Sequence, residues 1–293
     1  MNLIVGATGM VGTEVCRLLT AAGQPVKALV RATSDPAKVE KLKSLGVTVV
    51  PGDLREAASL RAACQGVSAI IATASSMPFA YKPGENSPDL TDQAGYLSLI
   101  AVAREAGVKQ FVYTSFPPVS VAFPLQNAKR AVEEGLRGSG LTYTILQPTF
   151  FAEVWLSPAV GFDFPNRKAA LYGAGENPVS WISYLDVAQF AAASLANPAA
   201  RNVTLEVGGP AGISPTGVVK IFEKIGGKPF EVTLVPVETL QGQLAGAADP
   251  MQQSFVGLMI GYAGQPAMDM TAILKSFPLK LKTVEDYARS VML

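Results

Sequence analysis

Leu3-Ile4-Val5-Gly6-Ala7-Thr8-Gly9-Met10-Val11-Gly12 is the stretch that decides the architecture. A short apolar run ends in glycines spaced G-x-x-G-x-x-G, after which Val11, Val15, Leu18 and Leu19 fall on one face of a helix. The order is strand, tight turn, helix start. So tight a turn needs residues without a Cβ. It leaves backbone N–H groups at the positive end of the helix, where a pyrophosphate can lie. A second apolar run at residues 26–30 arrives on schedule, so a nucleotide-binding β-α-β unit fits better than an ordinary corner.

Outward from that turn, the first half alternates between two patterns. β-rich apolar runs at 3–5, 26–30, 47–50, 69–72, 111–115 and 143–146 are separated by helical patterns near 10–22, 36–45, 56–64, 91–106 and 127–138. Runs that do not alternate polar with apolar imply strands covered on both faces. Strand-helix repetition implies right-handed crossovers, and hence an α/β fold with a doubly wound parallel sheet of the Rossmann kind. Gly23, Gly46, Gly107 and Gly140 each sit between a helix and the next strand, where helices commonly end.

After Pro148 the rhythm breaks. Residues 148–180 are rich in aromatics, prolines and glycines. A helix is expected at 183–195 with Asp186 in its first turn, a strand at 203–207, a helix at 216–225 capped by Ser214, and a strand at 232–237. The expected organisation is a nucleotide-binding domain over 1–150 and a smaller C-terminal α+β substrate lobe over 151–293, interleaved with the end of the sheet.

Composition removes whole classes of function. The 293 residues carry a net charge of +1, so nothing in the charge balance favours nucleic acid or an anionic membrane. No apolar run approaches the roughly 18 residues of a membrane span. The first strand starts at residue 2 and leaves no room for a signal peptide, which makes a cytoplasmic protein the expectation. The chain has no histidine, which excludes Ser-His-Asp and Cys-His nucleophiles. Zinc sites built on histidine go with them, and two cysteines, Cys16 and Cys64, are too few for a thiolate site, so no metal is expected. Both cysteines fall among apolar neighbours and read as small buried residues. Proton chemistry must therefore come from Lys, Tyr, Asp, Glu, Ser, Cys, a cofactor or water. Oligomeric state leaves no signal in the sequence.

In an open parallel sheet the ligand lies at the carboxyl ends of the strands, beside the point where strand order reverses. That rule selects Gly6, Ala7, Thr8, Gly9, Met10 and Val11, then Arg31, Asp53 and Leu54, Thr73, Ala74 and Ser75, Ser115 and Phe116, and Pro148 and Phe150. Arg31 stands where an NAD-specific site would place a carboxylate, and no acid occurs between Val26 and Ser34. A guanidinium there suits a 2′-phosphate, so NADP(H) is the expected cofactor. Asp53 is placed to accept from the adenine amino group, with Leu54 beside the ring, to cap the helix beginning near Arg55, or to do both. On the substrate side Met77, Phe79, Tyr81, Phe151 and Trp155 would receive a small apolar or aromatic molecule, although many such rings serve as packing. Tyr81 and Ser115 supply spare hydroxyls; Tyr113 is expected to point into the sheet.

The opening Gly6 to Gly12 turn, the Gly52-Asp53-Leu54 step, the run Gly107 to Ser115, the helix bearing Lys129-Arg130-Ala131-Val132-Glu133 and the stretch Ser139 to Pro148 together resemble the NmrA-like branch of the atypical short-chain dehydrogenase/reductases. The likeness spans roughly residues 1–195. This family includes NADPH-dependent quinone reductases, isoflavone and benzylic-ether reductases, and nucleotide-sensing regulators that catalyse nothing. The resemblance implies cofactor binding, with Lys129 holding the nicotinamide ribose and, in the benzylic-ether type, serving as the acid-base group. Two positions depart from the pattern. The Tyr-x-x-x-Lys of typical short-chain dehydrogenases has Leu125 in place of tyrosine, and Gln147 stands where an arginine commonly precedes the proline. The implied activity is hydride transfer from NADPH to an apolar quinone, enone or aromatic substrate. Its alternative is a non-catalytic NADP(H)-binding redox sensor or assembly protein.

Overall fold

The computed structural model describes residues 1–77 and 86–293. In chain order the elements begin β1 (Asn2–Val5), α1 (Met10–Ala21), β2 (Val26–Val30), α2 (Pro36–Ser44), β3 (Thr48–Pro51), α3 (Ala57–Cys64) and β4 (Ala69–Ala72). A π-helical segment, Pro88–Gly95, runs directly into α4 (Tyr96–Glu105), followed by β5 (Gln110–Thr114), α5 (Pro124–Arg137) and β6 (Thr142–Pro148). The remainder is α6 (Ala152–Trp155), β7 (Phe162–Asp163), β8 (Lys168–Tyr172), α7 (Tyr184–Ser194), β9 (Val203–Val207), α8 (Pro215–Gly226), β10 (Glu231–Val235), α9 (Val237–Gly246), α10 (Pro250–Gly264), α11 (Thr271–Ser276) and α12 (Val284–Met292). No helix among the described residues is long and apolar enough to cross a membrane.

The chain divides into two compact units. The first comprises Met1–Ser115, Pro124–Gln147 and Val187–Leu205. Its sheet has the order β3-β2-β1-β4-β5-β6-β9, with β1 parallel to both β2 and β4, and β5 parallel to β4 and β6. The chain winds outward from β1 to β3, then crosses back to β4, so the strand order reverses between β1 and β4. Every residue of those two strands is buried, as expected of strands covered on both faces. Leu3, Val5, Ile70, Phe111 and Ile145 pack with Leu60, Leu99, Val132 and Leu136 from the helices into one core, each side chain worth roughly 1.5–3 kcal/mol when fully buried.

One helix differs from its sequence expectation. In place of a single α-helix over 91–106, the wider π turn Pro88–Gly95 precedes α4. Ser87 caps it by accepting the Leu90 N–H, and Pro88 occupies its first turn. At its end Gly95 lies so close to Leu54 that a Cβ would come within 2.9 Å of the Leu54 Cβ.

The second unit comprises Phe116–Phe123, Pro148–Asp186 and Glu206–Leu293. It holds a three-stranded sheet in the order β10-β8-β7, with β8 parallel to β10 and antiparallel to β7. Ser214 caps α8 as expected, accepting the Gly217 N–H. Strands β7 and β8 and helices α9 to α12 have no counterpart in the sequence reading. α10 explains why: its sequence PMQQSFVGLMIGYAG is apolar around most of its circumference and shows no single stripe.

Candidate functional site

The glycine turn is built by close backbone approach. The Gly9 N–H donates to the Gly6 carbonyl at 2.9 Å, and the Thr13 hydroxyl donates to the Ala7 carbonyl at 2.8 Å. Gly6 has φ +89°, and a Cβ there would meet the Ala74 backbone nitrogen at 2.5 Å. A Cβ on Gly12 would lie 2.2 Å from the Gly6 carbonyl oxygen. Both glycines are thus required, one by conformation and contact, the other by contact alone. Gly9 caps α1 with no side-chain oxygen, and the first turn holds no acidic residue. The exposed start of the helix therefore carries N–H groups and positive potential, suited to a phosphate. Ala7 and Val11 are buried in the turn's base, whereas Met10 is 40 % exposed.

At the end of β2 Arg31 is exposed. Asp53, beyond β3, is held by Arg55: its carboxylate accepts the Arg55 N–H at 2.9 Å and the guanidinium at 3.0 and 2.8 Å. These bonds hold the Asp53 carboxyl below the usual range, with Arg31 adding to the effect. Glu56 rather than Asp53 occupies the N-cap position of α3, without a side-chain bond, and the Asp53 carboxylate closes a turn onto Arg55. Leu54 is buried.

At the switch point Thr73, Ala74 and Ser75 follow β4, with the Thr73 N–H bonded to the Val5 carbonyl at 2.8 Å. On α5, Lys129 is only 5 % exposed. Its Nζ donates to the Thr114 carbonyl at 3.2 Å, lies 3.5 Å from Asp92 Oδ1, and sits 5.0 and 5.7 Å from the ring centres of Tyr113 and Tyr96. The other oxygen of Asp92 accepts the Ser76 N–H at 2.9 Å and the Ser76 hydroxyl at 2.5 Å. Burial lowers the Lys129 pKa, against which the Asp92 charge acts. The same burial raises both tyrosines well above their ordinary value. Tyr96 donates to the Ala74 carbonyl at 2.8 Å, whereas Tyr113 Oη and Thr114 Oγ1 are buried without a hydrogen-bond partner.

Arg130 donates to the Ser115 hydroxyl at 2.9 Å and pairs with Glu133 at 3.0 Å. Buried Glu133 also pairs with Arg137 at 3.2 Å and accepts from Gln147 at 2.8 Å. Gln147 is therefore bonded to a carboxylate of its own unit. Leu125, where a tyrosine would stand, is 3 % exposed.

The structure thus brings together the glycine turn, residues 73–75, Ser115 and Lys129 in the first unit, with Arg31, Asp53 and Leu54 beyond the neighbouring strand ends. Sequence reasoning passed over Arg55, Asp92, Tyr96 and Glu133. A lone carboxylate in a helical pattern, such as Asp92, reads as a solvated face until its burial is known. Met77 is half-buried, and Phe79 and Tyr81 lie outside the described residues.

Phe116, Pro148, Phe150, Phe151 and Trp155 belong to the second unit. Phe116 stacks on Phe123 at 6.0 Å. Trp155 stacks on Tyr262 at 5.5 Å and takes the Phe150 ring edge-on at 5.0 Å. Pro148 is buried at the end of β6, and Phe151 bridges to Ile182. Trp181 is core, its indole N–H bonded to the Ile213 carbonyl at 2.9 Å. This unit also holds a cavity of about 200 Å³ lined by Glu153, Ser183, Asp186, Lys282 and Tyr287. Burial pushes the Asp186 carboxyl up to about 6, and the Lys282 N–H donates to it at 2.8 Å.

The NmrA-like family model matches residues 2–288. The NAD(P)H azoreductase of Xenophilus azovorans is 33% identical over 254 residues, covering 85% of this chain and 82% of its own. An isoflavone reductase homolog of Zea mays is 31% identical, covering 97% and 96%. Among solved structures, the NADPH-dependent quinone oxidoreductase of Escherichia coli complexed with NADPH superposes with a TM-score of 0.76 at 23% identity, covering all of both chains, a likeness of fold. With this turn at the β1/β4 switch point and a family match across nearly the whole sequence, the chain is a member of the NmrA-like family.

Proposed function

We propose that this protein is an NADP(H)-dependent reductase that passes hydride from NADPH to a small apolar acceptor: a quinone, an azo or other aromatic compound, or an enone. The observation that carries the reading is the turn at β1, whose Gly6 and Gly12 exclude any Cβ while α1 begins without a side-chain cap. The residues present fit the cofactor. Residues 6–12 and the start of α1 hold the diphosphate, and Arg31 holds the 2′-phosphate by fixed charge. The Asp53–Leu54 step borders the adenine, and residues 73–75 with Ser115 and Lys129 take the nicotinamide end.

When bound, NADPH supplies the hydride. The protein's own contribution is to orient the cofactor and to supply positive charge and a proton. With Leu125 in the tyrosine position, Lys129 is the ammonium at the site, donating hydrogen bonds and, for acceptors that need it, a proton. A reduced quinone takes its protons from solvent and needs less help from Lys129.

Purified protein is expected to oxidise NADPH in the presence of a quinone, an azo dye or an enone, with turnover on the order of 1 s⁻¹ or faster for the preferred class. No oxidation above background across all three defeats the reading. Tight NADP(H) binding in a calorimeter without turnover would instead assign a redox sensor.

A further inference from the structure

We propose that Asp92 is the positioning residue for Lys129, holding the ammonium through one carboxylate oxygen and the loop after β4 through the other. The inference rests on the role given to Lys129 above and concerns what keeps that group charged and in place.

All three partners of Asp92 are donors. Oδ2 receives the Ser76 N–H and hydroxyl, and Oδ1 faces the Lys129 ammonium at 3.5 Å with no other hydrogen bond. Asp92 and Ser76 are 0 % exposed, so water does not make up a lost partner. A residue here must accept on both sides, which an ionised carboxylate does and an amide does not: the NH2 of an asparagine would face either the ammonium or the Ser76 N–H.

The charges around Lys129 make Asp92 the decisive one. The π turn brings Asp92, α4 brings Tyr96 and β5 brings Tyr113, while α5 itself carries Arg130 and Glu133. Arg130 repels the ammonium, and both tyrosines stay neutral in their buried setting. Glu133 is shared with Arg130, Arg137 and Gln147. Asp92 is left as the anion that offsets the desolvation of Lys129. The π geometry has a role here: it places this carboxylate beside Ser76 and Lys129 together.

The test is titration of the Lys129 side chain by NMR with isotope-labelled lysine in the full-length protein, the signal identified by its loss in Lys129→Met. In Asp92→Asn the midpoint should fall by about 1–3 pH units, the range for losing a close opposite charge. The basic limb of NADPH affinity against pH should fall with it, and Asp92→Glu should return the midpoint most of the way. An unmoved midpoint in a folded Asp92→Asn protein overturns the proposal. If Asp92→Asn does not fold, Asp92→Asn/Lys129→Met decides: recovery of folding supports the pairing, since an unpaired buried charge is what was removed, and no recovery overturns it. Because the titration needs no substrate, an inactive wild type with an Asp92-dependent midpoint would defeat the reductase reading alone.

Discussion

The two units bury charge in different ways. The first sinks a lysine and two carboxylates into its interior with partners of their own: Lys129 with Asp92, and Glu133 with Arg130, Arg137 and Gln147. The second is packed with rings around Trp155 and Tyr262 and buries Asp186 against the Lys282 backbone N–H. Taking ions out of water costs several kcal/mol each unless partners compensate. The first unit holds Lys129 and Asp92 at the carboxyl ends of β5 and β4, through the Thr114 carbonyl and Ser76. The difference teaches that the polar apparatus belongs to the nucleotide-binding sheet, and the second unit's weight lies in aromatic packing.

The largest effect should come from the turn itself. Gly12→Ala places a methyl 2.2 Å from the Gly6 carbonyl oxygen. It should cost about 3 kcal/mol or more in denaturant unfolding and abolish NADPH binding. A stable Gly12→Ala protein that still binds would remove the steric basis of the site. Next comes Arg31→Ala, expected to weaken NADPH by about 1–3 kcal/mol while leaving NADH nearly unchanged. Equal loss for both cofactors in calorimetry would refute recognition of the 2′-phosphate.

The buried carboxylate of the second unit gives a smaller, pH-dependent effect. In the folded protein Asp186 keeps its proton up to about pH 6, whereas in an unfolded chain it releases it near 4. Its contribution to stability is therefore fully present below about pH 4 and lost as pH rises through 6. Asp186→Asn should raise the unfolding temperature at pH 7.5 by about 2–4 °C and flatten its dependence between pH 4 and 7. An unchanged pH profile would show that Asp186 does not resist ionisation. The smallest effect is expected from Gly9→Ala, whose new methyl would stand 3.2 Å from the Gly6 oxygen at an ordinary φ of −83°. Its cost should be under about 1 kcal/mol in the same unfolding measurement, and a loss equal to that of Gly12→Ala would mean the glycines are required as a group.

The parallel sheet was legible because its strands are continuous apolar runs and its helices amphipathic; β1, β2 and β4 to β6 lie within a residue or two of the expected bounds. The turn was legible because only glycine tolerates such contact, a chemical requirement visible in a string of letters. The Asp92–Lys129–Ser76 linkage was not, since it joins residues 16 and 37 positions apart, and a buried carboxylate looks like a solvated one in sequence. The second unit resisted for another reason: α10 has apolar residues on most faces and β7 has two residues, so neither displays a period.

Local spacing by itself determined the alternating sheet, the phosphate-sized bend and the guanidinium beyond β2, because each depends on neighbours along the chain. Tertiary structure alone decided which ionic groups lose their water and which partners they then find, because desolvation depends on everything packed around a group, however distant in sequence.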